Sequence, residues 1–541
     1  MQSIKDIAKK YDIDEKNIIN YGDFKAKLSY DFIEQKPSKQ GKLVLVTAIN
    51  PTPLGEGKTT ITIGLGDALN LSGHKTAIAV REPSLGPTFG VKGGAIGGGL
   101  AKVVPEDDIN LHFTGDIHAI TSANNLLCAM LDNHIHQGNE LKIDIDKIII
   151  KRCLDINDRV LRNVTIGRGA DNDGVERSDS FQLSVACEIM AALCLAENFE
   201  GLENKLGNIL VAYSLEGSPI FSKDLKATGA LTALLKDAFL PNIVQTLEGT
   251  IALVHGGPFA NIAHGANSLI ATKTALNLAE FVITEGGFGS DLGFEKFMNI
   301  KCRKSGLCPS AVVLVATLRA LKYNDGVPKD EVSKANESAL QSGLANLAAH
   351  IENIKNFNLP CVVAINKFAE DLNGEIEIVE KFCLEQGVEV SVTEIFEKGG
   401  GGGTNLAEKV ILACENTRTA KLTYDDDDDI EEKILKIAQK VYGAKDVKFS
   451  ELALKNLVKI KDIGASKFPI CMAKTPYSLS DNPTLLNRPT GFTVEVSDIY
   501  PRMAAGFLVV TCGNILEMPG LPKKPAAENV RVENREIVGI L

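Results

Sequence analysis

A chain of 541 residues is too long for one hydrophobic core, and its length predicts roughly three to four domains. Apolar residues make up 44% and charged residues 23%, which excludes a disordered or low-complexity chain. A net charge of −11 argues against a nucleic-acid binder. In chain order, the first strong element is the β-branched apolar run Leu43–Ile49, which stops at a Pro/Gly-rich loop. The loop ends in Gly57-Lys58-Thr59-Thr60, and a helical pattern follows over Ile61–Leu69. Strand, glycine loop and helix in that order let backbone N–H groups and a helix N-terminus wrap a polyphosphate. Thr52, Pro53, Leu54, Gly55, Glu56, Gly57, Lys58, Thr59 and Thr60 are therefore the expected ATP-binding residues. Lys58 would reach the β- and γ-phosphates, and the Thr59 hydroxyl would ligate Mg²⁺. The usual pattern has Gly where Thr52 stands, and Pro51 and Pro53 stiffen the loop. An ordinary Gly-rich turn is the alternative.

The run Thr76–Val80 reads as a second strand, followed by Arg81-Glu82-Pro83-Ser84-Leu85-Gly86-Pro87. Arg81 can clamp a carboxylate or phosphate through two parallel N–H bonds, or pair with Glu82 on a surface loop. The glycines of Val91–Gly99 would let a ligand approach the backbone. In His112–His118, Asp116 and His118 are candidates for phosphate or proton handling, while Thr114 and Asp116 serve equally as helix caps. Residues 111–244 read as a mainly helical insertion. Ile251–Val254 leads into His255–Gly265, where His255, Asn261 and His264 are available polar groups. Phe281–Thr284 ends at Glu285, which either holds Mg²⁺ through water or simply terminates the strand. Ala311–Ala316, Cys361–Ile365 and Val388–Val392 are further buried strands. Asn366-Lys367-Phe368 follows one of them, with Ala369 where a guanine-reading loop has Asp. Phe396 precedes five glycines, Gly399–Gly403, which read as a flat floor for a planar ligand or as a mobile linker. Asp425–Asp429 reads as a solvated linker or helix N-terminus.

These elements predict an α/β protein. A mostly parallel P-loop nucleotide domain (1–110 and 245–362) would carry the helical insertion (111–244), followed by a C-terminal α/β folate-site domain (363–541). The 11 cysteines include no Cys-x-x-Cys pair and fit buried, reduced thiols in the cytoplasm. No signal peptide or membrane span is evident in the sequence.

Several long segments together resemble the formate–tetrahydrofolate ligase family: Pro51–Thr60, Arg81–Gly99, Asn110–Ile120, His255–Gly265, Glu285–Phe297, Cys471–Pro483 and Met518–Ala527. The resemblance covers nearly the whole chain. It implies ligation of formate to tetrahydrofolate with ATP, through formyl phosphate, giving 10-formyltetrahydrofolate, ADP and phosphate. On that reading Lys58 and Arg81 are catalytic. Glu82, Asp116, His118, His255, Asn261 and His264 are candidates either for contact with formyl phosphate or for polar support. Phe368 and Phe396 stack the pterin. The family commonly has Trp at the second aromatic position, yet this chain contains no Trp. Pro476, where Gln is expected, is another departure. The resemblance also implies a homotetramer, Mg-ATP as a substrate, and activation by potassium or ammonium. With 541 residues and a phosphate loop near residue 50, no fused folate dehydrogenase module is expected. The rival readings are a folate-independent carboxylate kinase and a nucleotide-dependent switch protein.

Overall fold

The computed structural model describes residues 1–35, 40–92, 96–416 and 418–540, without side-chain detail at 91, 92 and 171. Each apolar run forms a strand: β1 (Lys42–Ala48), β2 (Thr76–Val80), β3 (Ile251–Val254), β4 (Phe281–Glu285), β5 (Ala311–Ala316), β6 (Cys361–Asn366) and β7 (Glu389–Thr393). All seven are parallel, in the order β3-β2-β4-β1-β5-β6-β7. Their sequences are apolar throughout because both faces are covered. Alternate residues of β1 face opposite cores. Leu43 and Leu45 belong to the larger core, which also takes in helix α3 (Glu337–Asn356), whereas Val44 and Val46 belong to a second core with α1 (Lys58–Leu71) and α4 (Thr404–Glu415). Beyond β3 the sheet continues antiparallel through Asn242–Thr246, Ala26–Leu28 and Ile18–Asn20.

The expected α/β class and the large, mostly parallel sheet are present. The segment 111–244 is mixed rather than mainly helical. The helix α2 (Asp116–His136) and the helices Glu188–Cys194, Phe199–Gly207 and Thr228–Leu235 alternate with short strands, among them Ile143–Ile148, Phe181–Leu183 and Leu210–Ser214. Those strands are three to six residues long and build only small sheets. Their alternation is too brief to stand out beside the helical runs. The apolar run through Cys187 and Cys194 splits for the same reason. Its first residues form a strand, and helix begins only at Glu188, whose buried carboxylate accepts from Ala504 N–H at 2.6 Å. The large sheet also runs on past residue 362, through β6 to Thr393.

The five-glycine run is not slack chain. It is a 3-10 turn wedged against α1, with Gly400 N–H donating to Glu248 Oε1 at 2.7 Å. A Cβ on Gly400 would lie 2.9 Å from Ala68 N, and one on Gly403 would lie 2.9 Å from Ile395 Cδ1. Asp429 caps the helix Ile430–Ile437 by accepting from Glu432 N–H at 2.7 Å, so the aspartate run is a helix N-terminus. All eleven cysteines are free thiols, most of them buried. Among the described residues no helix is long and apolar enough to cross a membrane.

Candidate active site

The chain leaves β1 for β2 on one side of the sheet and leaves β4 for β5 on the other, so a crevice opens at the carboxyl ends of the central strands. The loop between β1 and α1 fills it. Gly55 and Gly57 take φ values of 78° and 71°, which the tight turn requires. Gly57 is the N-cap of α1, and any Cβ there would strike the Asn366 side chain. The loop is braced from within and from β6. Glu56 Oε1 accepts from Thr52 N–H at 2.8 Å, and Asn366 Nδ2 donates to the Glu56 carbonyl at 3.0 Å. Pro53, Leu54 and Gly55 form the exposed tip. The first N–H groups of α1 are directed at the crevice.

Four expected site residues converge here. Lys58 Nζ donates to the Phe288 carbonyl at 2.8 Å. Phe288 itself sits in the left-handed region at φ 62°, a strained conformation for Phe. Thr59 Oγ1 donates to Glu285 Oε2 at 3.0 Å, and Arg81 Nη2 lies 3.9 Å from Glu285 Oε1. The Arg81 guanidinium lies over Gly287, where a Cβ would be 3.3 Å from both terminal nitrogens. Arg81 Nε, Asn261 Oδ1 and both ring nitrogens of His264 are buried without hydrogen-bond partners among the described residues. Burial, then the cations Lys301, Arg81 and Lys296, hold the His264 imidazole neutral, with its pKa well below the usual range. Unpaired polar atoms around a guanidinium suit a small anion better than an apolar ligand.

Other expected residues have partners outside this cluster. His255 has both nitrogens bonded in the core, to Ser268 Oγ at 2.7 Å and the Ala238 carbonyl at 2.8 Å, and burial lowers its pKa to about 4. Asp116, at the start of α2, is buried against Lys27 at 2.8 Å and accepts from Asn242 Nδ2 at 2.8 Å. Burial, then the nearby Asp116 charge, pushes the Glu82 carboxyl well above its ordinary pKa. His118 meets His112 ring-to-ring at 2.7 Å. Of the glycine-rich run Val91–Gly99, Gly93, Gly94 and Ala95 lie outside the described residues.

The two aromatics follow neighbouring strands. Phe368 comes after β6, with its N–H donating to Asp371 Oδ2 at 2.9 Å. Phe396 comes after β7 and is 53% exposed, leaving its ring face accessible. A Cβ on Gly98 would lie 3.1 Å from the Phe396 ring and 3.7 Å from Thr60 Oγ1, so the ring borders the first turn of α1. Lys367 N–H donates to the Thr393 carbonyl at 3.1 Å, which ties the two aromatic loops together.

Sequence reasoning missed a buried polar network under the loop. Asn50 N–H donates to His350 Nε2 at 3.0 Å, and His350 Nδ1 meets Ser290 Oγ at 2.7 Å. Asp291 pairs with Lys474 at 2.6 Å, both fully buried. Asn50 Nδ2 donates to the Pro476 carbonyl at 3.1 Å, a bond that any residue at 476 could accept. A lone His within a helical run and a Lys after a strand give no sequence signal of this. Among the described residues no cluster of three or more His, Cys, Asp or Glu is arranged to hold a metal.

Fold and site together describe an α/β protein with a polar crevice at a topological switch point, between a helix N-terminus and an arginine-centred cluster. The chain matches the family model described as formate–tetrahydrofolate ligase over residues 1–541, and it belongs to that family. Its activity is ATP-dependent ligation of formate to tetrahydrofolate, a reaction of one-carbon metabolism.

Proposed function

We propose that the loop 52–60 cradles the ATP phosphates, that Arg81 holds formate, and that the reaction runs in two steps. A formate oxygen attacks the γ-phosphorus and the bond to ADP breaks, giving formyl phosphate. The folate N10 then attacks the formyl carbon. The C–O bond to phosphate breaks, phosphate leaves with the electron pair, and N10 gives up its proton. Formate is an anion meeting a polyanion, so the first step needs cations on both sides. Lys58 and Arg81 supply them, and Lys58 exchanges the Phe288 carbonyl for phosphate oxygens. Thr59 and Glu285 are hard oxygen donors of the kind that suits the Mg²⁺ carried by ATP, which supplies charge neutralisation there. The pterin stacks on Phe368 and Phe396, and closure of the crevice protects the mixed anhydride from water. The observation that carries this reading is the convergence of Lys58, Thr59, Glu285 and Arg81 at one strand edge.

Formate labelled in both oxygens tests the intermediate. One labelled oxygen should appear in the released phosphate, and unlabelled phosphate would overturn the two-step route. ADP release should need formate and tetrahydrofolate together. Release with formate alone at a comparable rate would point to a carboxylate kinase. The family resemblance supports cytoplasmic location, a homotetramer and activation by potassium or ammonium. It also supports division of the chain into nucleotide, insertion and folate units.

A further inference from the structure

Phe368 has two faces, and one of them is already occupied. The guanidinium carbon of Arg319 stands 4.0 Å from the ring centroid, a face-on contact for a planar cation. Arg319 belongs to the helix Leu318–Asn324, which follows β5, whereas Phe368 follows β6. That helix is firmly placed. Thr317 caps it, accepting from Ala320 N–H at 3.0 Å, and its buried Lys322 pairs with Glu375 at 2.8 Å. Arg319 Nη2 donates to Glu370 Oε2 at 2.6 Å, while Nε is buried without a hydrogen-bond partner among the described residues. An ordinary surface ion pair would not need to bury an unpaired N–H. The side chain is laid flat on the ring at that cost.

We propose that Arg319 is a folate-positioning residue. It backs Phe368, fixes the plane of the ring, and confines the pterin to the opposite face. It acts through the ring and does not touch the substrate, so the proposal rests on Phe368 being a pterin platform. A phenyl ring on a loop turns about its own axis, and ordering it costs binding free energy. A flat guanidinium anchored to a separate helix removes that freedom before the ligand arrives. The property that matters is therefore planarity more than charge.

The test is steady-state kinetics on Arg319→Leu, Arg319→Gln, Arg319→Lys and Phe368→Leu, with a thermal unfolding midpoint for each. Arg319→Leu should raise KM for tetrahydrofolate roughly three- to tenfold, the scale of having to order one side chain on binding. Its kcat and its KM values for ATP and formate should stay as in the parent. Gln, flat but neutral, should recover most of the loss; Lys, charged but not flat, should not. Rescue by Lys and not Gln would overturn the proposal in favour of a charge effect. A fall in kcat with a lowered midpoint, and no selective change in the folate constant, would reduce Arg319 to a structural brace. An unchanged folate constant in Arg319→Leu beside a raised one in Phe368→Leu would refute the Arg319 role alone. Unchanged constants in both would remove the pterin platform itself.

Discussion

At the scale of single residues, the site separates groups that meet the reacting atoms from groups that hold them. In the proposed mechanism Lys58 is among the former. Lys58→Ala should cut kcat by roughly two to four orders of magnitude, the range seen when one charge-stabilising donor is lost, with the fold intact by circular dichroism. Near-normal turnover would remove the phosphate role. Phe396 supplies a smaller face than the indole common in the family, and half of it is open to solvent. Phe396→Ala should raise KM for tetrahydrofolate more than KM for ATP. Phe396→Trp should lower it, and would place the chain's single indole at the pterin. Its fluorescence should then quench on folate addition, and an unresponsive indole would put the pterin elsewhere. Lys58, Thr59, Arg81 and Glu285 were legible from sequence because each sits at a strand end or helix start, where position alone implies the crevice. His350, Asp291 and Lys474 were not, because their meeting depends on tertiary packing that no local pattern encodes.

Among the elements, the glycine run shows how composition misleads. Five glycines read as slack chain, yet four of them are spaced to admit the backbone of α1, the loop at Glu394 and the side chains of Ile395 and Glu248. Gly400 and Gly401 differ sharply despite being neighbours. A Cβ on Gly400 meets Ala68 N at 2.9 Å, whereas one on Gly401 meets nothing within 4 Å. Gly400→Ala should therefore destabilise the protein by about 1–3 kcal/mol through overpacking. Gly401→Ala should be neutral or slightly stabilising. Urea unfolding of the two variants checks this, and equal midpoints would mean the turn is not wedged. The parallel strands were legible because burial on both faces makes every residue apolar. The strands within 111–244 were not, since their alternation is too brief to stand out, and even Ile143–Ile148 is largely open to solvent.

For the whole molecule, buried imidazoles tie stability to pH. Burial lowers the His350 pKa to about 4, against about 6.5 in an unfolded chain. The unfolded chain thus takes up the proton first as pH falls. The contribution is complete above pH 6.5, declines below it, and is lost by about pH 4. The full swing is about 3 kcal/mol. Buried carboxyls such as Glu295, pushed up to about 7 by burial, act with the opposite sign, so the difference between variant and parent is the informative quantity. In His350→Gln the unfolding free energy should vary less with pH between 4 and 6.5, by up to about 3 kcal/mol. Parallel pH curves would exclude His350 as a source.

The strand order also has a consequence for biosynthesis. β1 and its loop leave the ribosome early, but the partners that flank β1 are β4, beginning at residue 281, and β5, beginning at residue 311. At roughly 5–20 residues per second, the nascent chain carries an unpaired apolar strand for on the order of 10–50 seconds. Asn366, which braces the loop, arrives later still. Catalytic competence is therefore a late event in translation, and the early segment is a natural client for whatever shields exposed strands until the middle of the sheet can close.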